Sequence, residues 1–223
     1  MTAYKIGIGM HTLSESDYDN LRKGAEVIEA DGHGDKVLRL RDGTFLKLFR
    51  RKRLISSAAI WPYAKRFADN AAMLSRLNLP CPLVKHIYRV KELQRDIVHY
   101  QPLPGRTLRQ LESSELTADM FAALGSFIAK LHSQGIYFRS LHLGNIVLTP
   151  ESKLGLIDLA DLRKSRRALG TVKRLRNFQH LLRDNRDRII LSQAAALACF
   201  DSYCQENSLA PNGQALKKRL RLN

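Results

Sequence analysis

YFRSLHLGNIVLTPESKLGLIDLAD, residues 137–161, is the part of the chain from which its architecture can be worked out. Two short apolar segments, at 146–148 and 154–157, flank the polar sequence TPESK. Apolar runs joined by turn-forming residues predict a β-hairpin. Asn145 precedes the first strand and Asp158 follows the second, so both are expected at the open end of the hairpin. An amide oxygen beside a carboxylate suits Mg²⁺, which proteins usually hold with one or two oxygens together with substrate phosphates.

The same residues resemble the catalytic loop of the protein-kinase-like superfamily. That loop is written H-R-D-L-x-x-x-N, and the metal loop that follows it begins with Asp. Residues 138–145, FRSLHLGN, keep the Arg, the Leu and the final Asn of the pattern, and their LHLGN ending is more similar to small-molecule and sugar kinases than to protein kinases. Ser140 stands where the family has its catalytic Asp. The resemblance implies a phosphotransferase that uses ATP and Mg²⁺, with the metal ion on Asn145 and Asp158.

The charge of the chain is strongly positive. Its 223 residues include 37 Lys and Arg against 21 Asp and Glu, a formal net charge of +16, which indicates an anionic partner or surface. The three cysteines show neither a disulfide framework nor metal-binding spacing, which favours a reducing compartment. The first residues lack the apolar segment of a signal peptide, and no apolar run is long enough to span a bilayer. We therefore expect a cytoplasmic protein.

The N-terminal part predicts an antiparallel meander. Segments 25–30, 36–40 and 44–49 read as three strands joined by two tight turns. The first turn contains Gly32 and Gly34, and glycine lets a backbone approach phosphate oxygens closely. Most glycine-containing hairpin turns bind nothing, so this signal depends on the residues that follow it.

Lys47 is the candidate for contacting ATP phosphates. Alternation along its strand places it on one face with Phe45 and Phe49. A single lysine of this kind more often extends from an edge strand into solvent. In kinase-like folds, however, the third strand carries the lysine that neutralises the α- and β-phosphates. The order of glycine turn, strand and Lys47 matches that arrangement and favours the functional interpretation.

A helix is predicted from about residue 57 to residue 77. In kinase-like proteins this helix supplies a Glu that pairs with the strand lysine. The helical register places Asn70 at that position, where it can accept a hydrogen bond from Lys47 but offers no charge. Asp69 could take the role only if the helix were rotated.

The middle of the chain follows the same order of elements. Segments 84–90 and 96–100 read as strands, and residues 102–108 resemble the hinge between kinase lobes. The hinge backbone binds adenine in relatives, so residues 99–103 are the candidates here. Residues 120–134 carry apolar side chains at helical spacing and predict an amphipathic helix.

The C-terminal part is short and basic. Only 65 residues follow Asp158, too few for the helical lobe and activation segment of a protein kinase. The segment 163–188 is rich in Arg and Lys and is opposed only by Asp184 and Asp187. A helix is predicted over 189–206.

Together these elements predict an α+β, bilobal, protein-kinase-like fold with an antiparallel N-lobe sheet and a reduced helical C-lobe. We expect one kinase-like domain over 1–223, with the N-lobe at about 24–100 and the C-lobe, which ends in a basic region, at 101–223.

Within the superfamily the chain is most similar to the bacterial lipopolysaccharide-core kinases of the Kdo and heptose type, and to a related group labelled toluene-tolerance proteins. The strings that carry this resemblance are DGHGDK at 31–36, LPGRTL at 103–108 and residues 138–145. It implies a cytoplasmic enzyme that works at the inner membrane face on an anionic, lipid-linked sugar. A basic surface suits such a partner, because anionic headgroups attract Lys and Arg within a Debye length.

Three functions remain open at this point. The first is a sugar kinase weakened by Ser140, with His142 and Asp161 as candidate replacements for the missing base. The second is a pseudokinase that binds ATP and regulates a partner. The third is a non-catalytic basic module that binds RNA or membrane through 163–188. A platform for stacking bases is poorly supported there, because Phe178 is the only aromatic residue in the segment.

Overall fold

The computed structural model describes residues 8–51, 61–191 and 193–206. The chain forms two compact units. The first unit contains Met1–Leu103 together with Ile157–Asp161, and the second contains Pro104–Leu156 together with Leu162–Asn223. The chain therefore leaves the first unit, returns to it for five residues, and leaves it again.

A six-stranded sheet with the order β1-β5-β6-β4-β3-β2 forms the centre of the first unit. Its strands are β1 (Met10–Thr12), β2 (Glu26–Asp31), β3 (Gly34–Arg39), β4 (Phe45–Arg50), β5 (Leu83–Val90) and β6 (Arg95–Gln101). All neighbours are antiparallel except β1 and β5. The predicted meander is present as β2-β3-β4. Lys47 lies opposite Val37 on one side and Val98 on the other, so β4 is an interior strand and not the edge strand of the alternative interpretation.

Two described helices, α1 (Glu15–Arg22) and α2 (Tyr63–Arg76), belong to the first unit. Tyr18 of α1 is buried with Leu38, Leu46 and Ile97 of the sheet. In α2 the buried positions recur with helical spacing, which gives one apolar face. The helix begins later than predicted, because Pro62 precedes it with an extended backbone. Residues 57–60 of the predicted helix lie outside the described residues.

The described part of the second unit combines four α-helices, α3 (Ala118–Ser133), α4 (Thr171–Leu181), α5 (Asn185–Ile190) and α6 (Gln193–Glu206), with five short strands. The strands are β7 (Arg106–Thr107), β8 (Ile136–Phe138), β9 (Ile146–Leu148), β10 (Leu154–Leu156) and β11 (Leu162–Lys164). The predicted hairpin is present, since β9 and β10 pair antiparallel from Ile146–Leu156 to Leu148–Leu154. Helix α3 carries the fully buried Leu124 and Ile128 and packs against α6.

The single helix predicted over 189–206 is wrong. Helix α5 starts earlier, because the Asp184 side chain accepts a hydrogen bond from the Arg186 backbone N–H and caps it. It ends at Ile190, where the buried Leu191 leaves the helical conformation with ψ 64°. Helix α6 is a separate element.

None of the helices in the described parts of the chain combines the length and the apolar character needed to cross a bilayer.

Candidate active site

A cavity of about 370 Å³ opens within the first unit. It is bounded by the β2–β3 turn, by β4, by the first residue of α2 and by the turn at 158–161. Its lining is highly charged. The carboxylates that line it are Glu29, Asp31, Asp35, Asp158 and Asp161, and the cations are Lys36, Lys47, Arg50 and Arg95. Because the two signs nearly balance, a polyanion could bind here only with a cation of its own or by displacing carboxylates from their partners.

Lys47 and Asp158 form an ion pair in this cavity. The Lys47 Nζ lies 2.8 Å from Asp158 Oδ1, with the lysine side chain 17% exposed and the aspartate 41% exposed. The ammonium also lies 6.0 Å from the centre of the Phe49 ring, which shares its face of β4. Lys47 therefore lies beside an aromatic ring, as predicted. Its carboxylate partner, Asp158, is partly exposed to solvent.

The backbone of Asp158 has φ +56°, in the left-handed region that non-glycine residues rarely adopt. Such a conformation persists only where surrounding contacts hold it. Here the next residue, Leu159, is fully buried, and its carbonyl accepts a 2.7 Å hydrogen bond from Asn70 Nδ2 of α2. Helix α2 therefore fixes the turn that presents the Asp158 carboxylate.

Asn70 thus has a role that its sequence position did not indicate. It donates to the turn that carries the partner of Lys47. Asp69, the other candidate, accepts hydrogen bonds from Trp61 Nε1 at 3.0 Å and Lys65 Nζ at 3.1 Å. The only signal in the sequence for the Lys47–Asp158 pair was the lack of an acidic residue at position 70.

The glycine turn between β2 and β3 is open to the cavity. A Cβ added at Gly32 or Gly34 would meet no atom within 4 Å, but Gly34 has φ +104°, which disfavours any side chain there. Arg95 Nη2 donates to the His33 carbonyl at 2.6 Å and fixes the turn.

Lys36 and Glu29 flank this turn and form an ion pair. The hydrogen bond that Lys36 donates to the Glu29 carboxylate raises the pKa of Lys36. Neither residue was predicted as a site residue, although Lys36 is the last residue of the string DGHGDK that carries the resemblance. It adds a second lysine to the cavity that contains Lys47.

Ser140, His142 and Asn145 lie in one loop of the second unit, between β8 and β9. Asn145 Nδ2 donates to the Ser140 carbonyl at 2.9 Å, and the Asn145 N–H donates to the His142 carbonyl at 2.9 Å. Bonding through the amide nitrogen fixes the orientation of the Asn145 side chain. Asn145 therefore closes the loop with two hydrogen bonds, one from its side chain and one from its backbone N–H.

A buried ion pair supports this loop from below. The Leu143 N–H donates to Asp187 Oδ2 at 3.1 Å, and Asp187 is fully buried. Arg109 donates two hydrogen bonds to the same carboxylate, from Nε at 2.5 Å and from Nη2 at 2.9 Å. Its Nη2 also donates to Asp184 at 2.9 Å. A Cβ at Gly144 would come within 3.1 Å of the Arg109 side chain, so the loop lies directly on it. The sequence hinted at this only because Asp184 and Asp187 are isolated acids in a basic segment.

The predicted site residues thus fall into two groups. Gly34, Lys47, Asp158 and Asp161 line the cavity of the first unit, with Gly32 in the same turn. Ser140, His142 and Asn145 share the loop of the second unit. The joint binding of one Mg²⁺ by Asn145 and Asp158 stays a prediction, as does binding of adenine by residues 99–103, which include the end of β6.

The donor atoms suit the metal that the resemblance implies. Asp158 offers a partly exposed carboxylate, and the bond from Asn145 Nδ2 leaves the amide oxygen as the donor for a cation. Across residues 8–51, 61–191 and 193–206, no three or more His, Cys, Asp or Glu side chains group so that they could hold a metal ion. Mg²⁺ usually needs fewer protein ligands than that, because substrate phosphates and waters complete its shell.

Comparison with known proteins supports the fold and the family. The structure is similar to the crystal structure of an aminoglycoside-3'-phosphotransferase of type VIII, with a TM-score of 0.63 at 16% identity over 89% of this chain and 92% of that one. It also matches the bifunctional kinase-methyltransferase WbdD, with a TM-score of 0.40 at 20% identity over 58% of this chain and 30% of that one. No curated protein sequence matches the chain.

The likeness to the aminoglycoside phosphotransferase confirms the predicted α+β, kinase-like fold. The sequence profile of the lipopolysaccharide kinase (Kdo/WaaP) family matches residues 88–203, more than half of the chain. This segment contains the predicted site residues Ser140, His142, Asn145 and Asp158, together with the pair Arg109 and Asp187. The chain belongs to the lipopolysaccharide kinase (Kdo/WaaP) family of kinase-type phosphotransferases.

Proposed function

We propose that the protein uses ATP and Mg²⁺ to phosphorylate a sugar of the lipopolysaccharide core at the inner membrane face, and that Ser140 limits its rate. The observation that carries this proposal is the ion pair between Lys47 and Asp158 in a charged cavity. An ammonium and a carboxylate held together in this way provide one group for phosphate oxygens and one for the metal ion that accompanies them.

The remaining residues supply positioning and charge. Phosphoryl transfer has a loose transition state, so catalysis consists mainly of alignment and electrostatic stabilisation. Lys47 and the backbone of the Gly32–Gly34 turn would hold phosphate oxygens, while Asp158 and Asn145 would hold Mg²⁺. Mg-ATP, when bound, supplies the phosphoryl group. Entry of the nucleotide would transfer Lys47 from Asp158 to phosphate and leave Asp158 to the metal ion.

The base position is the weak point of this site. Ser140 cannot take a proton near neutral pH, and a positioned general base is worth about 10²–10⁴-fold in rate. Asp161 lines the same cavity as Asp158, and His142 lies two residues from Ser140. These two side chains are the candidates for receiving the proton of the acceptor hydroxyl.

The acceptor and the location rest on the family and on charge. The family is described by lipopolysaccharide kinase activity, and such acceptors are anionic and lipid-linked. A protein with a net charge of +16 is attracted to anionic headgroups within a Debye length of the membrane. Both features support a cytoplasmic protein that works at the inner membrane face.

Ser140 also favours a second candidate, a pseudokinase that binds Mg-ATP and regulates a partner without turnover. In that case the Lys47–Asp158 pair would serve nucleotide binding alone. A plain electrostatic module for RNA or membrane is the third possibility, and it predicts no specific response to nucleotide. Mg-ATP at 100 times its dissociation constant should stabilise a nucleotide-binding protein by about 2.7 kcal/mol, which a thermal melt detects.

The decisive experiment restores the family's acid. We expect Ser140→Asp to raise phosphate transfer from Mg-ATP to a purified lipopolysaccharide-core acceptor by up to roughly 10²–10⁴-fold. Ser140→Asn, which is similar in size but cannot act as a base, is the matched control and should give no gain. A variant that is folded and binds Mg-ATP, yet transfers no phosphate, supports the pseudokinase. If wild type already turns over rapidly and Ser140→Asp slows it, Asp161→Asn and His142→Gln identify the base.

A further inference from the structure

Four exposed arginines of the second unit surround one hydrogen-bonded pair, Tyr137 and His180. The hydroxyl of Tyr137 lies 3.1 Å from His180 Nε2, which joins strand β8 to helix α4. We call the surrounding side chains the arginine cluster; its members are Arg139, Arg163, Arg176 and Arg183. Arg139 is the arginine of the catalytic-loop pattern, and the other three belong to the basic segment 163–188.

Two members of the cluster come from the two-stranded sheet of β8 and β11. Arg163 lies directly opposite Tyr137 in the antiparallel register, and directly opposed residues project from the same face of a sheet. The neighbours of Tyr137, Ile136 and Phe138, are buried on the other face. Arg139 follows two residues after Tyr137 and is exposed.

The other two members are Arg176 in α4 and Arg183, two residues beyond the last residue of that helix. Positions 176, 180 and 183 follow one another at spacings of four and three, so they lie on one face of the helix. Arg176 and Arg183 are exposed. The opposite face carries Phe178 and Leu181, which are buried.

Within the part of the chain that the structure describes, no carboxylate pairs with the cluster. In the described ranges, the side chains of its four arginines make no ion pair. Two other arginines of the second unit do form ion pairs, Arg109 with Asp184 and Asp187, and Arg186 with Asp184. His180 reports the resulting field, since burial first and then Arg183, Arg176 and Arg139 lower its pKa.

The position of the cluster relates it to catalysis. Arg139 is bonded to Ser140, the residue at the base position, and consecutive Cα atoms are about 3.8 Å apart. An acceptor hydroxyl must reach that position to receive a phosphoryl group. An anionic substituent of the same acceptor would then lie within reach of long arginine side chains, whose planar guanidinium groups bind phosphate and carboxylate in pairs of hydrogen bonds.

We propose that the arginine cluster is an acceptor subsite that binds a phosphate or carboxylate group carried by the sugar to be phosphorylated. This inference rests on the proposed function, because it assumes that the loop at Ser140 receives a sugar acceptor. The inference assigns Arg176 and Arg183 to substrate recognition. It also predicts that the acceptor carries a negative charge near its reactive hydroxyl and not only at a distant lipid anchor.

The test removes two charges without altering the catalytic loop. Arg176→Gln/Arg183→Gln is compared with Lys130→Gln/Lys153→Gln, which removes the same charge from two exposed lysines of the second unit. The probe is a soluble, deacylated core oligosaccharide bearing phosphate and carboxylate groups, and binding is measured by calorimetry. A charge-assisted hydrogen bond is worth roughly tenfold or more in affinity, so we expect the arginine double variant to bind at least about 10²-fold more weakly and the lysine double variant to bind like wild type.

A second arm separates the sugar from the membrane. The two double variants should differ far less in affinity for vesicles that contain phosphatidylglycerol but no sugar than in affinity for the oligosaccharide. An oligosaccharide stripped of its phosphates and carboxyl groups should bind both variants equally. If the arginine variant keeps its affinity for the charged oligosaccharide, loses only vesicle binding, or matches the lysine variant, the subsite is refuted. Failure of wild type to bind the oligosaccharide also refutes it.

Mg-ATP binding serves as the independent readout. It should be equal in wild type and in both double variants. Loss of nucleotide binding or of phosphate transfer in wild type would contradict the proposed function itself. Retained transfer with unchanged acceptor affinity in the arginine variant would contradict only the subsite.

Discussion

The two units of the molecule use the same chemistry, a basic side chain on an aspartate, in opposite ways. In the first unit, Lys47 and Asp158 meet in an open cavity, and the carboxylate is 41% exposed. In the second unit, Arg109 meets Asp187, whose side chain is 0% exposed and also accepts a hydrogen bond from the Leu143 N–H. One pair is accessible to a ligand, and the other is enclosed by the fold.

The difference in exposure between the two ion pairs indicates different roles for them. An exposed ion pair adds little to stability, so the Lys47–Asp158 pair contributes little to holding the fold together. A buried ion pair adds specificity, and loss of one partner is costly because the other charge is left without compensation. We therefore expect changes at Asp158 to affect chemistry and changes at Asp187 to affect folding.

The largest effect should come from Asp158→Asn. We expect phosphate transfer to fall by roughly 10³-fold or more, since a metal ion contributes several kcal/mol of charge stabilisation, while the stability to urea changes by less than about 1 kcal/mol. Calorimetry with Mg-ATP should show weakened binding. Asp69→Asn removes the same charge from a half-buried aspartate of the same unit, which is likewise paired with a lysine, and is the control. Equal Mg-ATP affinities in wild type and Asp158→Asn would exclude this metal site.

Asp187→Asn should show the reverse profile. Leaving Arg109 without its buried partner should cost about 3–5 kcal/mol of unfolding free energy, measured by urea denaturation. The Mg-ATP affinity of the folded fraction should fall much less than in Asp158→Asn, because Lys47 and Asp158 are untouched. Asp184→Asn, at the more accessible acid on the same arginine, should cost much less. A stable Asp187→Asn protein that has lost nucleotide binding would reverse the contrast between the two pairs.

The buried, neutral side chain of His132 should make the stability of the second unit depend on pH. Its ring nitrogens lie 2.9 Å from the Tyr203 hydroxyl and 3.1 Å from Asn177 Oδ1. Burial lowers the pKa of His132 from 6.5 to about 4. The unfolded chain therefore takes up a proton first as pH falls. Stability is full above pH 6.5 and declines towards pH 4, by about 3 kcal/mol in all.

Urea denaturation of wild type and His132→Gln across that pH range checks this. The variant should show a smaller loss of stability on acidification. Some pH dependence should remain, because burial also lowers the pKa values of His99 and His180. An unchanged pH profile in the variant would show that His132 does not control the acid sensitivity.

The smallest effect is expected at Asn70, the support of the functional pair. Asn70→Ala leaves the buried Leu159 carbonyl without this donor and should cost about 1–2 kcal/mol of stability. Because the turn at Asp158 then loosens, Mg-ATP affinity should fall as well. Asn20→Ala, at an exposed position of α1, should leave both quantities unchanged. A stability loss without any change in nucleotide affinity would separate Asn70 from the site.

Local patterns predicted most of the elements. Strand β4 with Lys47, and the hairpin that separates Asn145 from Asp158, followed from alternation and turn residues, because those signals act between near neighbours in sequence. The partners of these residues were not predictable in the same way. Lys47 with Asp158, and Leu143 with Asp187, are joined only by the tertiary fold. Likewise, α5 ends at Ile190, before the buried and non-helical Leu191, and composition does not reveal this helix end.

The five residues Ile157–Asp161, which complete the first unit, have a consequence for biosynthesis. The ribosome makes the six-stranded sheet first, yet Lys47 has no Asp158 until the whole segment from Pro104 to Leu156 has been translated. The cavity is therefore finished late, and an N-terminal fragment ending at Leu103 would contain the lysine and the glycine turn without the carboxylate. The site proposed for Mg-ATP is therefore complete only after Asp158 has been translated.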